Sequence, residues 1–259
     1  MTETALVTGA CSGIGLAIAG DLARRGYGLV LVSQRRGPLE DAAQRLRNQY
    51  GVAARPLTID LARPDAAAEL EAAVTEDVDV LVNNAGMFFF GEVADADPAR
   101  AKALLQLHVV TPSLLCASFG RRMRERRRGH ILIVSSISAW RDFPGIAFYG
   151  ASKRYLRSFA CSLRSELSVW GVNVTVLAPG ATATGLYDDT SINVARAKRL
   201  GVMMSPEAVA RAGVRAMLKG RAEHIPGFAT RLMTYVAARI PQWAIDLVRR
   251  RAPWLGRPA

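Results

Sequence analysis

Cysteine is nearly missing from this chain of 259 residues. Its three copies, Cys11, Cys116 and Cys161, are odd in number and far apart, which excludes a disulfide framework and paired metal-ligand spacing. No metal site is expected, and a reducing, cytoplasmic setting is the simple inference. The N-terminus has no basic leader, no long apolar run and no small-residue cleavage site, so nothing there reads as an export signal. Internal repeats, low-complexity tracts and linkers are also lacking, and nothing argues for a second domain. Acidic residues are in deficit, 22 against 34 Lys and Arg, for a formal net charge of +12. Such a surplus raises nucleic acid or an anionic membrane as partners. Its distribution narrows the choice. Residues 121–128 hold six Arg against Glu125, and residues 226–259 hold six Arg against Asp246. The remainder of the chain is nearly neutral.

What is present is apolar: half the residues are hydrophobic and 22% are charged, the balance of a globular protein with one large core. β-rich runs recur at residues 4–8, 28–33, 53–59, 78–83, 130–135 and 173–178, each followed by a stretch able to form a helix. Helices are predicted over 14–25, 39–50, 65–75, a long one near 98–127, then 149–170 and 206–219. Runs such as Leu29-Val30-Leu31-Val32 and Ile131-Leu132-Ile133-Val134 lack in/out alternation, as strands buried on both faces do. Right-handed crossovers then give an α/β, doubly wound parallel sheet with helices on both faces, in a single domain.

Three motifs carry chemistry. Thr8-Gly9-Ala10-Cys11-Ser12-Gly13-Ile14-Gly15 follows the first strand and opens the first helix. Glycines there permit a tight turn and close approach of a pyrophosphate, which helix N-terminal N–H groups favour. Asn83-Asn84-Ala85-Gly86 follows the fourth strand, and Tyr149-Gly150-Ala151-Ser152-Lys153 opens a later helix. Tyr149 and Lys153, four apart, share one helix face. A free tyrosine, with a pKa of about 10, is a poor base near neutrality, and an adjacent ammonium brings it toward the useful range.

In order and spacing these motifs resemble the short-chain dehydrogenase/reductase family, from about residue 4 to residue 226. The resemblance implies a Rossmann-like sheet of about seven strands, and a NAD(P)-dependent oxidoreductase acting on CH–OH or C=O groups. It assigns 1–226 to the catalytic domain and leaves 227–259 as a basic, amphipathic extension packed on it. Catalysis is carried by Tyr149 as acid/base, by Lys153, and by Ser136, thirteen residues before the tyrosine; family spacing selects Ser136 over Ser135. The cofactor is implied to lie on Gly9, Cys11, Ser12, Gly13, Ile14 and Gly15, on Asp60 and Leu61 at the adenine, and on Asn84, Ala85 and Gly86 beside the ribose. Tyr149 and Lys153 also contact it, with Pro179, Gly180, Thr182 and Thr184 closing on the carboxamide and residues 185–204 forming a substrate lid. NAD-specific relatives carry an acid at the position of Ser33; here there is none, and Arg35 or Arg36 could pair with a 2′-phosphate, so NADP(H) is favoured over NAD(H). The departure from the family is His108, at the place of a helix asparagine that helps hold a water between lysine and solvent. It reads as a tolerated residue, a modified relay or a lost one, and is left out of the catalytic set.

Bulky apolar residues on active-site loops, Met87 to Phe90, Trp140, Phe143, Phe148, Leu186 and Tyr187, suggest a pocket for a small apolar ketone or secondary alcohol. The basic run at 121–128 reads as a solvated helix end rather than a nucleic-acid patch. In the tail, Leu232, Tyr235, Val236, Ile240, Trp243, Leu247 and Val248 recur at helical spacing among arginines, and Arg231, Arg239, Pro241 and Asp246 interrupt them too often for a membrane span. Packing on protein, at the substrate mouth or a subunit contact, is favoured over a membrane surface. Family members are often oligomers, which implies a homodimer or homotetramer. The competing function is a catalytically weak dinucleotide-binding protein acting through partner or membrane-surface contacts; intact Ser136, Tyr149 and Lys153 argue against it.

Overall fold

Runs dense in Val, Leu and Ile become the strands of one sheet in the computed structural model of the chain, which describes residues 2–182 and 203–251. The strands are β1 (Thr4–Thr8), β2 (Gly28–Ser33), β3 (Ala54–Thr58), β4 (Val80–Asn83), β5 (Gly129–Val134), β6 (Val172–Leu177) and β7 (Glu223–His224). All pair in parallel in the order β3-β2-β1-β4-β5-β6-β7. This is the expected Rossmann-like, seven-stranded, single-domain fold. The third and fourth strands are shorter than their apolar runs, and the fifth and sixth begin one residue earlier than predicted. β3, with Arg55 and Pro56, forms one edge, where a residue without an N–H is tolerated.

Alternate strand residues feed two cores. Ala5, Val7, Leu31, Val82 and Leu132 pack under α1 (Gly13–Ala23), α2 (Arg36–Tyr50) and α7 (Pro206–Leu218). Leu6, Val30, Leu81, Ile131 and Val174 pack under α3 (Ala66–Ala73), α5 (Thr111–Arg126) and α6 (Ala147–Ser168). Strand order reverses between β1 and β4, so the chains leaving their carboxyl ends diverge to opposite faces and open a crevice there.

The long helix predicted near 98–127 is not continuous. It is α4 (Pro98–Leu105), a π-turn over Gln106–Val110, and α5. Pro112 has no N–H to offer the carbonyl of residue 108, so the ladder resets with a wider turn, and His108 lies in it. The stretch Pro98–Arg126 is long and apolar enough to cross a membrane, but half of its apolar window is buried, with Leu104, Leu115 and Phe119 fully inside. It is a core helix.

The basic run is more engaged than a solvated helix end. Arg122 donates to the carbonyls of Val74 and Thr75 at 2.8 and 3.0 Å and to that of Glu76, supplying partners for the chain leaving α3. Arg126 donates to Asp77 Oδ1 and the Val78 carbonyl, both at 2.8 Å, while Arg124 and Arg127 lie over the Trp170 ring. After β7 the tail forms α8 (Phe228–Arg239) and α9 (Gln242–Arg251). Several apolar side chains of the tail face away from the chain's own domain: Val236 and Trp243 are 58% and 68% exposed. The reason is that α8 docks by its small residues, Thr230, Thr234, Ala237 and Ala238.

Replacing Arg122 by Ala removes charge-assisted bonds to three carbonyls and is expected to lower stability by about 1–2 kcal/mol in urea unfolding. Arg121→Ala, one residue away and exposed, is expected to change it by less than about 0.5 kcal/mol.

Candidate active site

A cleft of about 640 Å³ opens over the crevice between β1 and β4. Its floor is set by a clip. Thr8 Oγ1 donates to the Val82 carbonyl and accepts from the N–H groups of Asn84 and Ala85, at 3.1, 2.9 and 3.0 Å. Asn84 Nδ2 returns bonds to the carbonyls of Thr8 and Gly9. Gly9 sits at φ +66, and a Cβ there would lie 2.8 Å from Asn84 Nδ2; one on Gly15 would lie 2.3 Å from the Gly9 carbonyl oxygen. Only glycine fits either place. Gly15 is therefore a packing residue and not part of the cleft wall, whereas Gly9, Cys11, Ser12, Gly13 and Ile14 line it.

Ser12 precedes α1 in extended conformation, its side chain makes no capping bond, and no acid occupies the first turn. The first N–H groups of α1 thus point into the cleft region without a side-chain acceptor, the arrangement that holds a phosphate. At the rim, Arg35 Nη2 donates to Ser12 Oγ at 2.8 Å and to Cys11 Sγ at 3.0 Å. Ser33 Oγ donates to the same sulfur at 3.1 Å and accepts from the Arg35 N–H. Burial pushes the Cys11 thiol up, but these bonds outweigh it and the net direction is down. Arg36 is not in this cluster; it begins α2, its side chain 77% exposed, and faces Glu40. Asp60 and Leu61 also line the cleft, with Asp60 Oδ1 accepting from the Ala62 N–H. Donors, glycines and a cationic rim together fit a phosphorylated dinucleotide.

The predicted catalytic side chains line the same cleft, with Ala85, Gly86, Pro179, Gly180 and Thr182. Thr184, with Leu186, Tyr187 and nearly all of the proposed lid, lies outside the described residues. Ser135 and Ser136 part company at the end of β5: Ser135 Oγ donates to the Lys153 carbonyl at 2.8 Å, fixing α6. Ser136 Oγ accepts from the Ser138 N–H at 3.2 Å, which leaves its O–H to donate to a ligand. Tyr149, 6% exposed, has the Lys153 ammonium 5.6 Å from its ring centre, and Phe88 edge-on at 5.0 Å. Lys153 Nζ donates to the Val134 carbonyl at 3.1 Å, and burial pulls its pKa down to about 8. It remains largely charged at neutrality, the state that favours a tyrosinate.

His108 is fully inside and joins this group, a role that its position alone did not reveal. Its Nε2 accepts from the Met87 N–H at 3.0 Å, and its Nδ1 lies 2.9 Å from Ser152 Oγ. Because the Ser152 hydroxyl donates to the Tyr149 carbonyl at 2.8 Å, it must accept from His108 Nδ1–H. One tautomer satisfies every bond, and the imidazole is neutral: burial, then the Lys153 charge, holds its pKa well below the usual value. His108 thus ties the Gly86–Met87 turn to the start of α6, with both nitrogens occupied. Ser152, inside the Tyr-x-x-x-Lys motif, has no role that the spacing alone assigns.

The apolar set is scattered. Met87 lines the cleft and Phe88 touches the tyrosine, but Phe89 packs edge-on to Phe148 at 5.7 Å, and Phe148 faces a separate depression with Val93, Leu105 and Val110. Trp140 is covered by Arg157, and Phe90 and Phe143 are exposed. Periodicity marks apolar residues without saying which loop face turns inward.

Residues 3–194 match the family described as short chain dehydrogenase. An uncharacterized oxidoreductase of Bacillus subtilis, YmfI, is 32% identical over 232 residues, 88% of this chain and 96% of the relative. Among solved structures, a short-chain dehydrogenase from Sphingobium yanoikuyae in complex with NADPH is 30% identical with a TM-score of 0.80, covering 94% of this chain and 95% of that one. The bulky-bulky ketone specific alcohol dehydrogenase from Comamonas testosteroni is 25% identical with a TM-score of 0.77, covering 99% and 95%.

A histidine buried neutral stays unprotonated as the pH falls through its unfolded pKa, where the unfolded chain takes up a proton, so stability drops. Between about pH 7.5 and about pH 5.5, melting curves of His108→Asn are therefore expected to lose less stability than those of the wild type. Equal losses in the two proteins would mean that His108 is not buried neutral.

Proposed function

The chain belongs to the short-chain dehydrogenase/reductase family, NAD(P)-dependent oxidoreductases of CH–OH and C=O groups, and on that premise we propose that it is an NADP(H)-dependent ketone reductase or alcohol dehydrogenase for hydrophobic carbonyls and secondary alcohols. The observation that carries this reading is one cleft lined by Ser136, Tyr149 and Lys153 and by the glycine turn with Arg35. Preference for the 2′-phosphorylated cofactor is supported by the absence of an acid at Ser33 and by the Arg35 guanidinium held on Ser12; the Sphingobium relative is described with NADPH. The Comamonas relative, described as specific for bulky-bulky ketones, supports a ketone substrate, and Met87 and Phe88 support an apolar one.

The bound dinucleotide supplies or accepts the hydride. This chain's residues handle the oxygen and the proton. Ser136 donates its O–H to the substrate oxygen and stabilises charge that develops there. Tyr149 gives that oxygen its proton in the reductive direction and takes it back in the oxidative one. Lys153, charged and held on the Val134 carbonyl, keeps the phenol acidic enough for both. Because both His108 nitrogens are bonded, His108 holds the Tyr149 helix start in place and has no free nitrogen with which to relay a proton. We further place the protein in the cytoplasm, on its free cysteines, and as a homo-oligomer, supported by exposed Leu114 and Tyr155 on α5 and α6.

Tyr149→Phe keeps the ring and removes the proton, and is expected to lower turnover of an apolar ketone, followed by NADPH absorbance, at least about 100-fold with little change in cofactor affinity. Matching rates would overturn the tyrosine mechanism. Arg35→Ala is expected to raise KM for NADPH about 10-fold or more and to leave KM for NADH within about 2-fold. Equal effects on both would remove Arg35 from cofactor selection.

A further inference from the structure

Helix α8 is mounted inside out. The side facing the domain carries Thr234, 3% exposed, whose hydroxyl donates back to the Thr230 carbonyl at 2.7 Å. The outer side carries Phe228, Leu232 and Val236, at 80%, 55% and 58% exposed. α9 turns one large apolar residue, Ile245, inward, and leaves Trp243, Leu247 and Val248 exposed. A helix that served only its own domain would turn its large apolar side chains inward. Among the described residues nothing covers them, and two successive helices are left with large apolar side chains facing outward.

The charge around that face selects its occupant. Between residues 228 and 251 stand Arg231, Arg239, Arg250 and Arg251, besides Arg249 on Glu92, against Asp246 alone. Two copies placed face to face would bring like charges together. A nucleic acid would satisfy the arginines and leave Phe228 and Val236 in water. A bilayer with anionic headgroups takes both sets, the apolar side chains at the acyl boundary and the guanidinium groups at the phosphates, with Trp243 at the interface. The helices, of 12 and 10 residues, are too short to span. We infer that α8 and α9 form a docking surface for an anionic lipid bilayer.

The pair also rests on the loops that border the cleft. A Cβ added to Gly180, a cleft residue, would lie 2.8 Å from Thr230 Cγ2. Arg249 pairs with Glu92 in the chain after β4, and Arg141, shortly after Ser136, donates to Gln242 Oε1 at 2.8 Å. Docking therefore brings the cleft mouth to the lipid boundary, where an apolar ketone concentrates. That last step rests on the reductase reading; the docking does not.

The test is sedimentation of the full chain, with NADPH present, on vesicles of phosphatidylcholine alone or mixed with phosphatidylglycerol. Binding to the anionic vesicles is expected to be at least about 10-fold tighter than to the neutral ones. The double variant Phe228→Ser/Val236→Ser is expected to lose about 10-fold or more on anionic vesicles, and Arg250→Gln/Arg251→Gln to lose most of the preference for anionic lipid. These side chains are exposed and outside the cleft, so turnover of a water-soluble ketone should stay unchanged in both variants. Tyr149→Phe should bind vesicles as the wild type does, which separates failure of the docking from failure of the catalytic reading. Absence of vesicle binding, or equal binding by wild type and the serine variant, overturns the inference. So does light scattering that shows a dimer which the serine variant dissociates, since the face would then be a subunit contact.

Discussion

Thr8 and Asn84 close the gap that the reversal of strand order opens between β1 and β4. One hydroxyl takes two backbone N–H groups and gives its proton to the Val82 carbonyl, while one side-chain amide binds the carbonyls of Thr8 and Gly9. The glycine turn owes its shape to this clip, because Gly9 and Gly15 are pressed against Asn84 and each other closer than any Cβ permits. The free N–H groups of α1 then face the cleft that Ser136, Tyr149 and Lys153 also line. Cofactor cradle and proton-handling groups are thus set relative to each other by bonds between two strand ends.

Burial does the electrostatic work around Tyr149. Lys153 is desolvated, which brings its pKa to about 8 and concentrates its charge on the neighbouring tyrosine ring. His108, a few ångströms away, answers the same desolvation by staying neutral. An asparagine offers an amide NH2 and a carbonyl oxygen; the neutral imidazole offers one N–H and one acceptor nitrogen in fixed geometry, used on the Ser152 hydroxyl and the Met87 N–H. The substitution keeps a donor and an acceptor in place and occupies both ring nitrogens.

The positive charge divides into two physically different populations. Arginines 122, 124, 126 and 127 are spent inside the molecule, on backbone carbonyls, Asp77 and the face of Trp170. Those of the tail stand beside exposed apolar side chains. The same net charge therefore has different consequences: the first run stabilises a helix junction and the second defines a surface.

Much of the active site could be read from the chain alone, because it is built on spacing. Two residues four apart on a helix, a glycine turn following a strand, and a serine at a strand end are local facts, and parallel strands buried on both faces announce themselves by unbroken apolar runs. What the order of residues does not determine is which side of a loop or helix meets the rest of the protein. Phe89 and Phe148 turned out to pack on each other, Arg36 to miss the cofactor rim that Arg35 occupies, and α8 to dock by its threonines and alanines instead of its leucine and valine. His108 became intelligible only when a π-turn 44 residues away from Ser152 carried its ring to that hydroxyl. Periodicity records that a face is apolar; only the packing of the other elements decides whether that face is buried or left outward.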